Sequence, residues 1–241
     1  MYAPGQLSIT DCPEVDPTSH IRLGKLTEQF VLFELEQDES VQLLKSNIQI
    51  FRDRITIGEL DCLIRQSEVN IHLEIVYKFY LYDPSVSTEL NRWVGPNRKD
   101  SLVLKLNKLK QKQLPLLYHP ETEKLLDGLN LKAADFAQML CFKAQLFVPF
   151  NSLGSSFGLV NNDCVKGFYI RHKDLKLFAS HQFYIPSKLD WLVEPHPEVA
   201  WSSLRTFEDA IAELLTSQRS PLCWMKSQEG EIQKFFVVWW E

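Results

Sequence analysis

Residues 55–80 read ITIGELDCLIRQSEVNIHLEIVYKFY, two apolar runs separated by Gln66, Ser67 and Glu68. Those three residues suit a turn, and so short a connection predicts a β-hairpin. Alternate residues of a strand face the same side. Leu60, Cys62 and Ile64 then share one face of the first run, with Glu59, Asp61 and Leu63 opposite. In the second run Ile71, Leu73, Ile75, Tyr77 and Phe79 share a face, with His72, Glu74, Val76, Lys78 and Tyr80 opposite. Each strand has one apolar face and one interrupted by charge. Runs this hydrophobic belong inside a sheet, where an unpaired carboxylate is costly. Something positive must offset the acids.

An ion pair, Glu74–Lys78 or Asp61–Lys78, is the plain explanation of a charged strand pair. It needs one acid per base. Glu59, Asp61 and Glu74, joined by Glu28 from the segment upstream, supply three or four. The surplus points to a divalent cation, since hard ions such as Mg²⁺ take carboxylate oxygens.

Upstream, HIRLGKLTEQFVLFELEQ (20–37) spaces Leu23, Leu26, Phe30, Phe33 and Leu35 as an amphipathic helix does, and Ser19 is a candidate cap. NIQIFRD (47–53) alternates as a short strand. Residues 1–19, with three prolines, read as an irregular arm. Downstream, WVGPNRKD (93–100) reads as a loop. A long helix is predicted from about Asp100, with Leu102, Leu106 and Leu109 on one side and lysines on the other, ending before Pro115. PETEKLLDGLNL (120–131), KAADFAQMLCFK (132–143) and TFEDAIAELLTSQ (206–218, capped by Thr206) are predicted helices. AQLFVPF (144–150), KGFYIRH (166–172), HQFYIPS (181–187), PLCWMKS (221–227) and IQKFFVVWW (232–240) are predicted strands. A boundary near Tyr118–Thr122 divides a core of residues 20–120 from an α+β part of residues 121–241 packed on it or continuing it. No flexible linker marks that boundary, so two lobes sharing one sheet fit as well as two domains.

The 241 residues are 45% hydrophobic and 12% aromatic, enough for a real core. A net charge of −5 excludes a uniformly basic coat but not a basic stripe. Arg92, Arg98, Lys99, Lys105, Lys108, Lys110 and Lys112 lie within 21 residues, as a nucleic-acid face or a solvated helix face would. The five cysteines are scattered, as reduced thiols are, and make neither a disulfide framework nor a zinc site. No secretory signal and no membrane-length apolar run is visible, so a cytoplasmic protein without membrane contact is expected.

The order of these features resembles the core of the PD-(D/E)XK nuclease superfamily: a helix with Glu28, a strand with Asp61 after Gly58, a strand with Glu74 and a lysine, then a basic helix. More narrowly, GELD, HLEIVYKFYL, WVGPNRKD and the leucine/lysine helix resemble an uncharacterised bacterial domain-of-unknown-function family placed in that superfamily. The superfamily resemblance covers about residues 22–118, the narrower one most of the chain from Arg22. It implies an α/β (α+β) fold, a restriction-endonuclease-like mixed β-sheet flanked by helices, with a C-terminal α+β extension. It implies that Asp61 and Glu74 hold Mg²⁺ or Mn²⁺, that Glu28 reaches the metal directly or through water, and that Lys78 positions the attacking water. The substrate it implies is DNA. The usual motif leaves one residue between acid and lysine, where this chain has Val76. Lys78 starts roughly 13 Å from Glu74 along an ideal strand. A bulge, or Lys105 reaching in from the next helix, would supply the amine.

Around this core, Arg98, Lys99, Lys105 and Gln113 are the candidate nucleic-acid contacts, with Trp93 and Asn97 beside them. Gln113 resembles a nuclease glutamine without the tyrosine that usually follows it. His72 shares the charged face, though a hydrogen-bonded strand histidine explains it as well. The aromatics of the second half read as core. No P-loop, dinucleotide fingerprint or GxSxG elbow is present. The leading expectation is a metal-dependent nuclease. A catalytically degenerate protein of the same fold, binding nucleic acid or a protein, comes second, and a structural domain whose acids form ion pairs third.

Overall fold

The computed structural model describes residues 22–240. The arm 1–19 and the Ser19 cap lie outside the described residues. Helix α1 covers Leu23–Gln37 and is followed by strands β1 (Val41–Arg52), β2 (Ile55–Gln66), β3 (Val69–Tyr82) and β4 (Trp93–Val94). Then come α2 (Leu102–Lys108), α3 (Pro120–Asp127), β5 (Phe136–Pro149), β6 (Val165–Arg171), β7 (Gln182–Tyr184), α4 (Leu204–Thr216), β8 (Leu222–Lys226) and β9 (Ile232–Val238). The chain is a mixed α/β protein with a large mixed sheet flanked by helices. It divides into two compact units: residues up to Tyr77 with Lys105–Lys143, and Lys78–Leu104 with the residues from Ala144 on.

In the first unit β1, β2 and β3 run antiparallel in sequence order. The β2–β3 turn is Ser67–Glu68, both at positive φ (48° and 64°), as a two-residue hairpin of matching twist requires. One side of these strands buries Cys62, Ile64, Ile71, Leu73 and Ile75 against Val31, Leu32 and Leu35 of α1. Another cluster joins Ile48, Ile50, Leu60 and Leu63 to Leu116, Leu117 and Leu126. Strict alternation put Leu60 with Cys62 and Ile64, but it packs with Leu63. The β1–β2 register shifts fall at Leu43/Lys45 and Ile50/Phe51, and the backbone also departs from strand geometry opposite Asp61. Ser46 pairs with Cys62 and Ile48 with Leu60, so Asn47, at a left-handed φ of 51°, stands opposite Asp61. At Gly58 a Cβ would come within 2.5 Å of Leu116 Cδ2, so any larger residue requires the Leu116 side chain to shift.

The predicted long basic helix is broken. After α2 the chain widens into a π-turn over Leu109–Gln113 and then tightens into a 3₁₀ turn over Leu114–Tyr118. KAADFAQMLCFK is not a helix: Ala133–Asp135 makes one 3₁₀ turn and β5 starts at Phe136, continuous with the predicted strand AQLFVPF. Sheet pairing outweighs the modest helix propensity of AQMLC.

In the second unit β6 lies parallel to the end of β5 and to β9, while β8 is antiparallel to β9 and β7. β4 pairs with the end of β3, so Trp93 and Val94 are strand rather than loop. Helix α4 packs Phe207 and Ile211 onto Phe183, Phe235 and Val237. Its cap is Ser203, whose Oγ accepts from Thr206 N–H, not Thr206 itself. Gly167 lets β6 pass close to β9: a Cβ would stand 2.1 Å from the Lys234 carbonyl oxygen.

Candidate active site

The charged residues of the first unit collect where the β2–β3 ladder ends. That ladder runs from Gln66↔Val69 to Cys62↔Leu73. One step further Asp61 stands opposite Glu74, and the Asp61 carboxylate intrudes: Oδ2 accepts from Ile75 N–H at 2.7 Å. Asp61 is 9% exposed and Glu74 not at all. Burial raises the Asp61 pKa first, and the Glu74 charge adds to it. The Ile75 N–H pulls it back, Glu28 raises it again and Lys105 lowers it, the net result being about 8.

Glu74 is held from both sides. Its Oε1 accepts from His72 Nε2 at 3.0 Å and its Oε2 from Gln113 Nε2 at 2.6 Å. His72 is fully buried, and its Nδ1 lies 3.1 Å from the Gln138 amide nitrogen. An amide nitrogen only donates, so Nδ1 accepts and the proton sits on Nε2, facing Glu74. Gln138 also donates to the Leu114 carbonyl at 2.6 Å, tying β5 to the end of the π-turn.

Lys105 reaches this network through Gln113, whose Oε1 accepts from Lys105 Nζ at 2.7 Å. Eight residues along a regular helix leave two side chains about 80° apart around the axis. A π-turn inserts one residue, so the pair behaves as if seven apart and falls within about 20°. The break in the helix therefore aligns Lys105 and Gln113 toward Glu74.

Glu28 and Glu59 are joined by Lys25, whose Nζ lies 2.8 Å from each and also donates to Asn47 Oδ1. Partial burial alone would lower the Lys25 pKa, but the two carboxylates outweigh it and hold the value up. Glu28 thus acts on Asp61 through its charge, with its own carboxylate on Lys25.

In the second unit Lys78 Nζ bonds Asp100 Oδ2 at 2.6 Å, instead of the expected ion-pair partners Glu74 or Asp61. Arg98 sits between Asp83 Oδ2 (2.7 Å) and the Trp240 ring (4.6 Å). Asn97 accepts from Ser220 N–H, and Trp93 is fully buried. Lys99, Lys108, Lys110 and Lys112 are exposed.

The structure thus brings Asp61, Glu74, Gln113 and Lys105 together, with Glu28 in electrostatic range and Lys78 engaged elsewhere. Sequence reasoning passed over Lys25 and Gln138. Lys25 was signalled by its i,i+3 spacing from Glu28. Gln138 lay in a segment read as helix. Among the described residues, no group of three or more His, Cys, Asp or Glu side chains is arranged to hold a metal ion. No helix there is long and apolar enough to cross a membrane.

The model of a family described as a domain of unknown function, DUF1853, matches residues 12–238, and the chain belongs to that family. No curated protein and no solved structure matches the chain.

Proposed function

We propose that the first unit of this DUF1853 protein carries a metal-dependent phosphodiesterase site for DNA, on a restriction-endonuclease-like sheet of the PD-(D/E)XK kind. One observation carries the reading: two buried carboxylates, Asp61 and Glu74, face each other where two strands part, with Lys105 linked to Glu74 through Gln113. A structural ion pair would give Asp61 a cation rather than a second acid; burial and that second acid instead keep it protonated near neutral pH.

Among the described residues the site offers two carboxylates and no third acidic, His or Cys ligand, and two is a number Mg²⁺ commonly takes from protein while keeping its waters. Each Glu74 oxygen accepts one hydrogen bond and keeps a second lone pair, and Asp61 Oδ2 does the same. Bound there, Mg²⁺ or Mn²⁺ would polarise a phosphate oxygen and acidify a water. The chain's own residues do the rest. Asp61 gives up its proton on loading. His72 and Gln113 fix the Glu74 carboxylate. Lys105, aligned by the π-turn, stabilises negative charge on the phosphate and orients the water, the task first assigned to Lys78. Exposed Lys108, Lys110 and Lys112, on the segment that carries Lys105, supply backbone contacts to DNA.

A second reading has its own support. Both Glu74 oxygens are already hydrogen-bonded, and the pair lies almost out of solvent. That favours a degenerate relative that keeps the fold and binds nucleic acid or a protein partner. Titrating Mn²⁺ calorimetrically into wild type and Asp61→Ala separates the two. The enzyme reading expects binding in wild type alone, whereas heat as small in wild type as in the variant would sink it.

A further inference from the structure

A cavity of about 330 Å³ in the second unit carries a site that the nuclease reading does not use. Its apolar wall includes Ile185, Trp191, Leu214 and Leu222, and its polar lining includes Lys188, Arg219 and Asn97. That size lies at the lower end of small-molecule pockets. No carboxylate lines it.

Ser220 also lines it, its hydroxyl donating to the Pro96 carbonyl, and the other polar side chains of the lining carry donors. Lys188 Nζ lies 3.0 Å from the centroid of the Trp191 ring, held by cation–π attraction. The residue as a whole is exposed, and loss of hydration pulls its pKa down to about 8. Neither Lys188 nor Arg219 has a side-chain hydrogen bond or ion pair among the described residues. Asn97 spends its oxygen on Ser220 N–H, which leaves its amide N–H₂ to donate. Away from the cavity lining, the buried Lys234 Nζ lies 3.4 Å from the Trp191 backbone carbonyl oxygen. Lys188 therefore stands over this ring, beside an apolar wall.

We propose that this cavity binds a small organic carboxylate with an apolar body, its two oxygens taken by Lys188 and Arg219 and its body laid against Ile185, Leu214 and Leu222. A carboxylate suits two cations presented singly, since one oxygen can answer each. The apolar wall selects a ring or branched chain over a bare anion.

Benzoate is the probe, with benzamide as its neutral isostere and inorganic phosphate as the bare anion. Ligand-observed NMR on the full chain reads binding in wild type, Lys188→Gln and Arg219→Gln. The expected result is saturable one-to-one benzoate binding, weakened roughly tenfold or more in each variant. Benzamide and phosphate should bind more weakly than benzoate. Both substitutions replace exposed cations, and matching melting curves establish that the variants fold. No saturable benzoate binding to wild type overturns the proposal. So does benzamide or phosphate matching benzoate, or both folded variants binding as wild type does. The test involves no added metal or DNA, so its outcome is independent of the nuclease reading.

Discussion

Replacing Asp61 by Asn should flatten the pH dependence of stability in the first unit. The folded chain holds the Asp61 carboxyl at about 8 against an ordinary 3.8. A carboxyl raised in this way binds its proton more tightly folded than unfolded. Its stabilising contribution is complete below about 3.8 and falls away as the pH rises through the folded value. Across pH 5 to 8 the metal-free protein should therefore lose stability, with a ceiling of about 1.4 kcal/mol per pH unit, or roughly 4 kcal/mol in all. Lys188, lowered to about 8, acts mainly above that window, and both it and Lys234, also lowered by burial, lie in the second unit. All six tryptophans lie in that second unit, so intrinsic fluorescence would report the wrong region. Hydrogen exchange of the Ile71–Tyr77 amides, corrected for intrinsic rates and measured in chelator, reads the right one. Wild type should lose protection by orders of magnitude between pH 5 and 8. Asp61→Asn, whose amide oxygen can still accept from Ile75 N–H, should not. Equal protection at both pH values in wild type, or an identical slope in the variant, would refute the reasoning.

Three further outcomes follow from the same geometry. Mn²⁺ binding near pH 7 should release close to one proton from Asp61, read as a dependence of the calorimetric heat on buffer ionisation enthalpy. Gln138→Leu should cost about 1–3 kcal/mol, because it strands His72 Nδ1 and the Leu114 carbonyl, and urea denaturation followed by circular dichroism measures it. Gly167→Ala should lower the melting temperature more than Gly58→Ala. The added methyl meets the Lys234 backbone in the first case and the end of the Leu116 side chain in the second.

Much of the site was legible because strand parity is a short-range property. Asp61 and Glu74 fall opposite each other in the register that the Ser67–Glu68 turn sets. Parity failed at Leu60, next to the residue that faces left-handed Asn47 across the ladder, where the partner strand and not the local pattern sets the backbone. The lysine was harder still. Lys78 shares parity with Glu74 but finds Asp100, a partner 22 residues on, which no local pattern foretells. Lys105 and Gln113 align only through a π-turn, and an intact helix would separate them. β5 was misread over 136–143 because its burial pattern does not alternate cleanly, and there sheet pairing decides. The cap of α4 moved from Thr206 to Ser203, a difference of one turn between two residues of equal capping chemistry.

We propose that Asp61, Glu74 and Lys105 act as one phosphodiesterase centre. Cleavage of supercoiled plasmid in Mn²⁺ by wild type, Lys105→Met and Lys78→Met tests it most directly. Wild type and Lys78→Met should cleave, and Lys105→Met should not. Wild type that leaves the plasmid intact, or a Lys105→Met protein that cuts as well as wild type, would contradict it.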